Sequence, residues 1–298
     1  MSDVAHLLRK ARGFSNAVAD WVPTVRASGL RLLIGLRSEH FGDLAQDDVR
    51  FREVLEEVRT RFGVVTGVSI YWENEATLDL AKQRTFYAEF YNKFKPTTFE
   101  LFVRITSKGV ENQQYDINFL VARSRALVVH THEFRAPGTA KAYPPCTLEK
   151  DIFGFQEKSW LWVLHEVTKN DASIHKSLIP TVSTRGLKYE LDNQTVSNVG
   201  ANVTNSGDPI SLYEICPEWN RWSPQLENST KCTVGQSGRD WIGFEAAQSV
   251  LIKVEMVKKK HNLGIAVMHI ELDDKNDCSN QRRPYLLSAV HGALHSTA

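Results

Sequence analysis

No stretch of the sequence stays apolar long enough to cross a bilayer as a helix. Charge of one sign is missing too. The 36 lysines and arginines meet 35 aspartates and glutamates, a net of +1. No long-range field is therefore available to recruit a polyanion or an acidic membrane surface, and neither nucleic acid nor a membrane is expected as a partner. The first residues, MSDVAHLLRKARG, hold no apolar core of a secretory leader. G-x-S-x-G, the P-loop and H-E-x-x-H are all absent, so the hydrolase and nucleotide-binding classes they mark gain no support. Cysteine is scarce: Cys146, Cys216, Cys232 and Cys278 are spread widely with no C-x-x-C. That spacing is poor for zinc and fits two disulfides or four buried thiols.

What is present is a 298-residue chain with 42% apolar residues, enough for one large barrel or two smaller domains. Between Asn193 and Thr230 lie three N-glycosylation sequons, at Asn193, Asn202 and Asn228. Three in one polar segment point to the secretory pathway, which favours disulfides over thiols.

Hydrophobic patterning alternates between strand and helix. Strands are expected at Arg31–Leu36, Val64–Trp72, Glu100–Thr106, Ala126–Thr131, Ser177–Val182 and Gly264–Leu272. Helices are expected at Ser15–Ala27, Asp47–Phe62, Leu78–Phe94, Trp160–Lys169 and Ala247–Lys259. This alternation implies an α/β fold with a parallel sheet, open or closed into a barrel. Asp192–Asp208 breaks the rhythm, so Lys188–Phe244 reads as an insertion between the last two strand units. The chain then divides into a barrel part over 1–187, a small α+β insertion over 188–244 and a second barrel part over 245–298. Trp219, Trp222 and Trp241 belong to the insertion, as its core or as a binding surface. Lys258–Lys260 ends a helix and reads as a solvated face.

Toward the end of the chain stand Trp241-Ile-Gly-Phe244, Ser249, Lys253, Gly264–Met268, Leu272-Asp-Asp274, Cys278 and Pro284-Tyr-Leu-Leu287, preceded by Leu212-Tyr-Glu-Ile-Cys216. In that order they resemble family 18 glycoside hydrolases, the chitinases, and the match runs from about Gly29 to Ala293. The resemblance implies a (β/α)8 TIM barrel with its active site at the C-terminal ends of the strands. It also implies a Cys216–Cys278 disulfide, which leaves Cys146 and Cys232 as a second pair. The family has two strands before the one matched to Arg31–Leu36. Residues 1–28 have no room for them, so a barrel lacking its first two strands and its leader is expected.

The family motif D-G-x-D-x-D-W-E is matched by Thr66–Glu73, T-G-V-S-I-Y-W-E. Alternation puts Ser69, Tyr71 and Glu73 on one face. By resemblance Glu73 is the catalytic acid, while Ser69 and Tyr71 replace two carboxylates. In that substrate-assisted mechanism the carboxylate two residues before the acid holds the acetamido group and offsets the charge of the cyclic intermediate. Its loss costs about a hundred- to a thousand-fold in rate. The family's M-T-Y-D becomes His130-Thr131-His132-Glu133, its strand-three G-G-W becomes Arg37-Ser38-Glu39, a groove aromatic becomes Val182, and the tryptophan floor becomes Met268. Tyr71, Trp72, His130, His132, Glu133 and Met268 are thus the candidate binding residues. His130 and His132, with Glu73, can bind zinc with an open position or can fill vacated space. The reading assigns no metal and no cofactor. It expects a secreted, catalytically silent chitinase-like protein that binds chitin, a related N-acetylglucosamine glycan or a protein. The alternative is residual hydrolysis of chitin oligomers through Glu73.

Overall fold

A computed structural model describes residues 33–38, 41, 47, 49, 52–53, 56, 60, 66–72, 79–95, 99–134, 140–149, 158–274, 278 and 285–296. Glu73 and the expected helix Ser15–Ala27 lie outside these residues, and with that helix the question of the first two strands. The chain divides into two compact units, residues 1–127 and 128–298.

In the first unit, strands β1 (Leu33–Ser38), β2 (Gly67–Trp72) and β3 (Glu100–Ile105) pair in parallel, β1 with β2 and β2 with β3. Helix α1 (Leu80–Phe94) connects β2 to β3. Its start is set by Asp79, whose carboxylate accepts the Ala81 amide at 2.8 Å. Gln83, Phe86, Tyr87, Phe90 and Phe94 fall at three- and four-residue steps and form its buried face. Trp72 packs edge-on against Phe86, 5.5 Å between ring centroids, and near Phe41 at 5.7 Å. Burial of each such ring contributes about 1.5–3 kcal/mol. Gly67 has no room for a side chain, since a Cβ there would meet the Glu100 carbonyl oxygen at 2.2 Å. The motif's glycine is therefore a packing requirement where β2 runs against β3. Short helices α2 (Ser107–Glu111) and α3 (Ile117–Val121) follow, capped by Thr106 and Asp116.

Strand β4 (Ala126–Val129) spans the division. In the second unit, helix α4 (Trp160–Thr168) is capped by Ser159 and buries Trp160, Val163, Leu164 and Val167. Strand β5 (Leu178–Ser183) pairs in parallel with β11 (Ala266–Met268). In the sequence between them come the strands of a separate antiparallel sheet of order β7-β6-β10-β9-β8. Its strands are β6 (Arg185–Glu190), β7 (Asp208–Ser211), β8 (Gln225–Leu226), β9 (Thr233–Ser237) and β10 (Asp240–Phe244). Two short helices, α5 (Leu212–Ile215) and α6 (Trp219–Trp222), join β7 to β8. Trp222 and Trp241 are buried and Trp219 packs on Phe244, as core residues do. Helices α7 (Ala247–Lys260) and α8 (Tyr285–His295) share a core with β5 through Val182, Val250, Val254, Leu286 and Val290.

Both disulfides form, Cys146–Cys232 and Cys216–Cys278. Two expected strands are clearly shorter than their patterns, and the first, Ala126–Thr131, ends at Val129. Gly264–Leu272 is extended only over Ala266–Met268, because His269 turns left-handed at φ 58° and Ile270–Leu272 coils into a tight helical turn.

Candidate functional site

In the first unit the pleat of β2 sorts its residues. Val68, Ile70 and Trp72 are buried, while Ser69 and Tyr71 are half-buried on the other face. Trp72, read as a binding residue, thus lies among Phe41, Phe86 and Tyr87. Tyr71 has a charged neighbour on each side: the registers pair it with Arg37 of β1 and Arg104 of β3. The guanidinium carbons stand 5.6 Å and 4.7 Å from its ring centroid, within cation–π range. Glu73, two residues on, lies outside the described residues.

The second cluster stands in the second unit, where β4, β5 and β11 end. His130 and His132 follow β4 directly, and their rings are 4.1 Å apart, as the two-residue spacing predicts. Thr131 and Thr181 are fully buried and bonded to each other across the strands. The Thr131 hydroxyl donates to the Thr181 carbonyl at 2.8 Å, and the Thr181 amide donates to the Thr131 hydroxyl at 2.8 Å. The Thr181 hydroxyl donates to the Val129 carbonyl at 3.1 Å and accepts the Thr131 amide at 2.9 Å. It also lies 2.5 Å from His132 Nδ1. The hydroxyl has one proton, and both the Val129 carbonyl and His132 Nδ1 lie within its reach.

Glu133 and His269 come together from opposite ends of the chain's second unit. His269 Nε2 is 3.1 Å from Glu133 Oε1, and its Nδ1 faces Glu271 at 3.6 Å. Arg185, which opens β6, reaches the same Glu133 oxygen at 3.5 Å. Glu133 (φ 59°) and His269 (φ 58°) both hold left-handed backbone, uncommon for residues other than glycine. The turn at His269 is secured by Thr184, whose hydroxyl donates to the His269 carbonyl and whose amide donates to the Met268 carbonyl at 3.2 Å. Met268 is half-buried beside Ser183 in the β5–β11 register. Val182, by contrast, is fully buried on the helix side.

The family model for glycosyl hydrolases family 18 matches residues 24–273. The chain belongs to that family. It is 30% identical to the Endochitinase of Manduca sexta over 100 residues, 32% of this chain and 18% of that protein. The match thus spans less than a fifth of that relative's length. Among solved structures, the Ostrinia furnacalis Group IV chitinase superposes with a TM-score of 0.79 at 16% identity, covering 93% of this chain and 83% of its own. YKL-39, solved in the presence of chitooligosaccharides, gives 0.80 at 16% identity, covering 94% and 85%. These likenesses show the chitinase-type TIM-barrel fold, to which the antiparallel sheet adds the α+β insertion.

In family 18 terms, the sequence places His130, His132, Glu133 and Met268 in one region, and the structure brings His132 and Glu133 together beside His269, with His130 stacked against His132. Sequence reading did not single out Thr181, Arg185 or His269. Thr181 was within reach, since it alternates with Val182 along β5. His269 was not, because the left-handed turn that aims it is written in no residue pattern. The motif's Asp273 serves structure: its two oxygens accept the Leu286 and Leu287 amides at 3.0 Å each and cap α8. Cys216, Asp274 and Cys278 also lie close together, but the two sulfurs are joined as a disulfide and offer no thiolate. Asn193, Asn202 and Asn228 are all exposed.

Proposed function

We propose that this chain is a secreted, catalytically silent member of its family that binds chitin or a related N-acetylglucosamine glycan. The observation that carries the reading is Tyr71 standing between Arg37 and Arg104. At that place the family mechanism uses a carboxylate to stabilise a positively charged intermediate. A neutral phenol at that place offers no negative charge to offset such a cation. Glu73, with Ser69 and Tyr71 before it, also lacks the carboxylates that would keep it protonated near neutral pH.

Binding is supported by the scaffold, since YKL-39 with the same fold was solved with chitooligosaccharides. Secretion is supported by three exposed sequons and two disulfides, which persist in oxidising compartments. Among the described residues no helix is long and apolar enough to cross a membrane. Calorimetric titration with N-acetylglucosamine tetramer and hexamer tests the binding arm. Saturable heat is expected, and its absence with both oligomers removes chitin as the ligand.

A further inference from the structure

The second unit gathers two residues matched to a family motif, His132 and Glu133, with His269, which the motif match did not single out. His132, Glu133 and His269 place one ligand atom each within 4.8 Å of one another. We propose that these three residues form a binding site for a zinc-type divalent cation at the ends of β4 and β11.

Three features carry this beyond proximity. The first is the anchoring of His132 by Thr181. The Thr181 hydroxyl lies 2.5 Å from His132 Nδ1 and holds that side of the ring, so Nε2 is the nitrogen left for a metal. Metal-binding histidines are held by an oxygen at the far nitrogen, which orients the ring. The second is the pairing of His269 with a carboxylate at close range. Its Nε2 faces Glu133 at 3.1 Å while its Nδ1 faces the Glu271 carboxylate at 3.6 Å. The third is the backbone. Glu133 and His269, on different strand ends, both adopt left-handed conformations, and Thr184 pins the second. Neither is needed to bury an apolar side chain, since both residues are half-buried and polar.

The donor set chooses the cation. Two imidazoles and one carboxylate suit zinc and its borderline neighbours, whereas magnesium and calcium take oxygen. Ligand atoms about 2.0–2.2 Å from a tetrahedral zinc stand a little over 3 Å apart. The Glu133–His269 pair is already at that separation. Three protein ligands leave a fourth position for water or an oxygen of a bound molecule. Arg185, 3.5 Å from the same carboxylate, holds Glu133 in place and partly offsets its charge. The site differs from the sequence expectation, which joined His130 and His132 to Glu73.

The test uses the full chain, stripped with chelator and titrated with zinc alone. One zinc per chain is expected by calorimetry and by metal analysis after dialysis. His132→Ala and His269→Ala should each abolish stoichiometric uptake. Thr181→Val should weaken binding about 10- to 100-fold as a positioning change, and Thr181→Ser should restore it. Cobalt loading should give the visible bands of a four-coordinate site, and His269→Gln should remove them. That last variant changes a partly exposed residue, so it reports even if the buried His132 variant fails to fold. Absence of stoichiometric zinc overturns the proposal, as does uptake that survives His269→Gln with the cobalt spectrum unchanged. No glycan enters the titration, so its failure leaves the glycan reading standing.

Discussion

The Arg104 guanidinium carbon lies 4.7 Å from the centre of the Tyr71 ring, its partner across the β2–β3 register. The register Arg37–Tyr71–Arg104 runs straight across three parallel strands, so the arrangement belongs to the sheet. Arg104→Met removes the charge and keeps the stem. It should lower stability by about 0.5–2 kcal/mol, read as a shift in denaturant midpoint at constant slope. No shift would show that the stacked cation contributes nothing.

Lys253 is completely buried and paired with Glu245, which also takes the Ser249 hydroxyl at 2.6 Å. The ammonium donates further to the Cys146 carbonyl at 2.6 Å. Burial pushes the Lys253 pKa down, and Glu245 opposes it. Removing one partner leaves an uncompensated buried charge, so Glu245→Ala should cost about 3–5 kcal/mol in thermal or chemical unfolding. Replacing both residues by apolar ones of similar volume should recover most of that loss. A double variant as unstable as the single one contradicts the account.

The two disulfides close loops with sequence separations of 86 and 62 residues. On chain-entropy grounds each contributes about 4 kcal/mol through the unfolded state. Unfolding under reducing conditions should begin at markedly lower temperature. The Cys216→Ala, Cys278→Ala pair should reproduce roughly half of that effect. Equal melting with and without reductant would mean that the bonds do not form.

Glu227 accepts hydrogen bonds from the amides and hydroxyls of Ser229 and Thr230, next to the Asn228 sequon. Burial works to raise its pKa, but these four donors outweigh it and the carboxyl titrates below the ordinary glutamate value. The Ser211 hydroxyl and amide lower Glu214 in the same way. Both groups have a lower pKa folded than unfolded. Their contribution is therefore full above the ordinary value and is lost as pH falls from there through the lowered folded value. Melting temperature should drop below about pH 4.3, and the drop should be smaller in Glu227→Gln. An acid limb of equal depth in the variant would assign the loss elsewhere.

The strand–helix order was legible because each element has a clean period. Phe86, Phe90 and Phe94 mark one face of α1, and Val68, Ile70 and Trp72 mark one face of β2. The disulfide partners followed from resemblance, since the order of motifs constrains which positions correspond. Two things were not legible. Alternation along Gly264–Leu272 puts His269 opposite Met268, but a single left-handed residue re-aims the chain. The pairing of Arg37, Tyr71 and Arg104 depends on strand register, which a sequence carries only through contacts it does not display.

The central claim is most directly tested by product release from a fluorogenic chitooligosaccharide, measured side by side for the wild-type chain and Glu73→Gln. The account predicts saturable binding of the oligomer by the wild type, with no release above the background of the variant. Wild-type turnover that disappears in Glu73→Gln would contradict it and make the chain a working hydrolase.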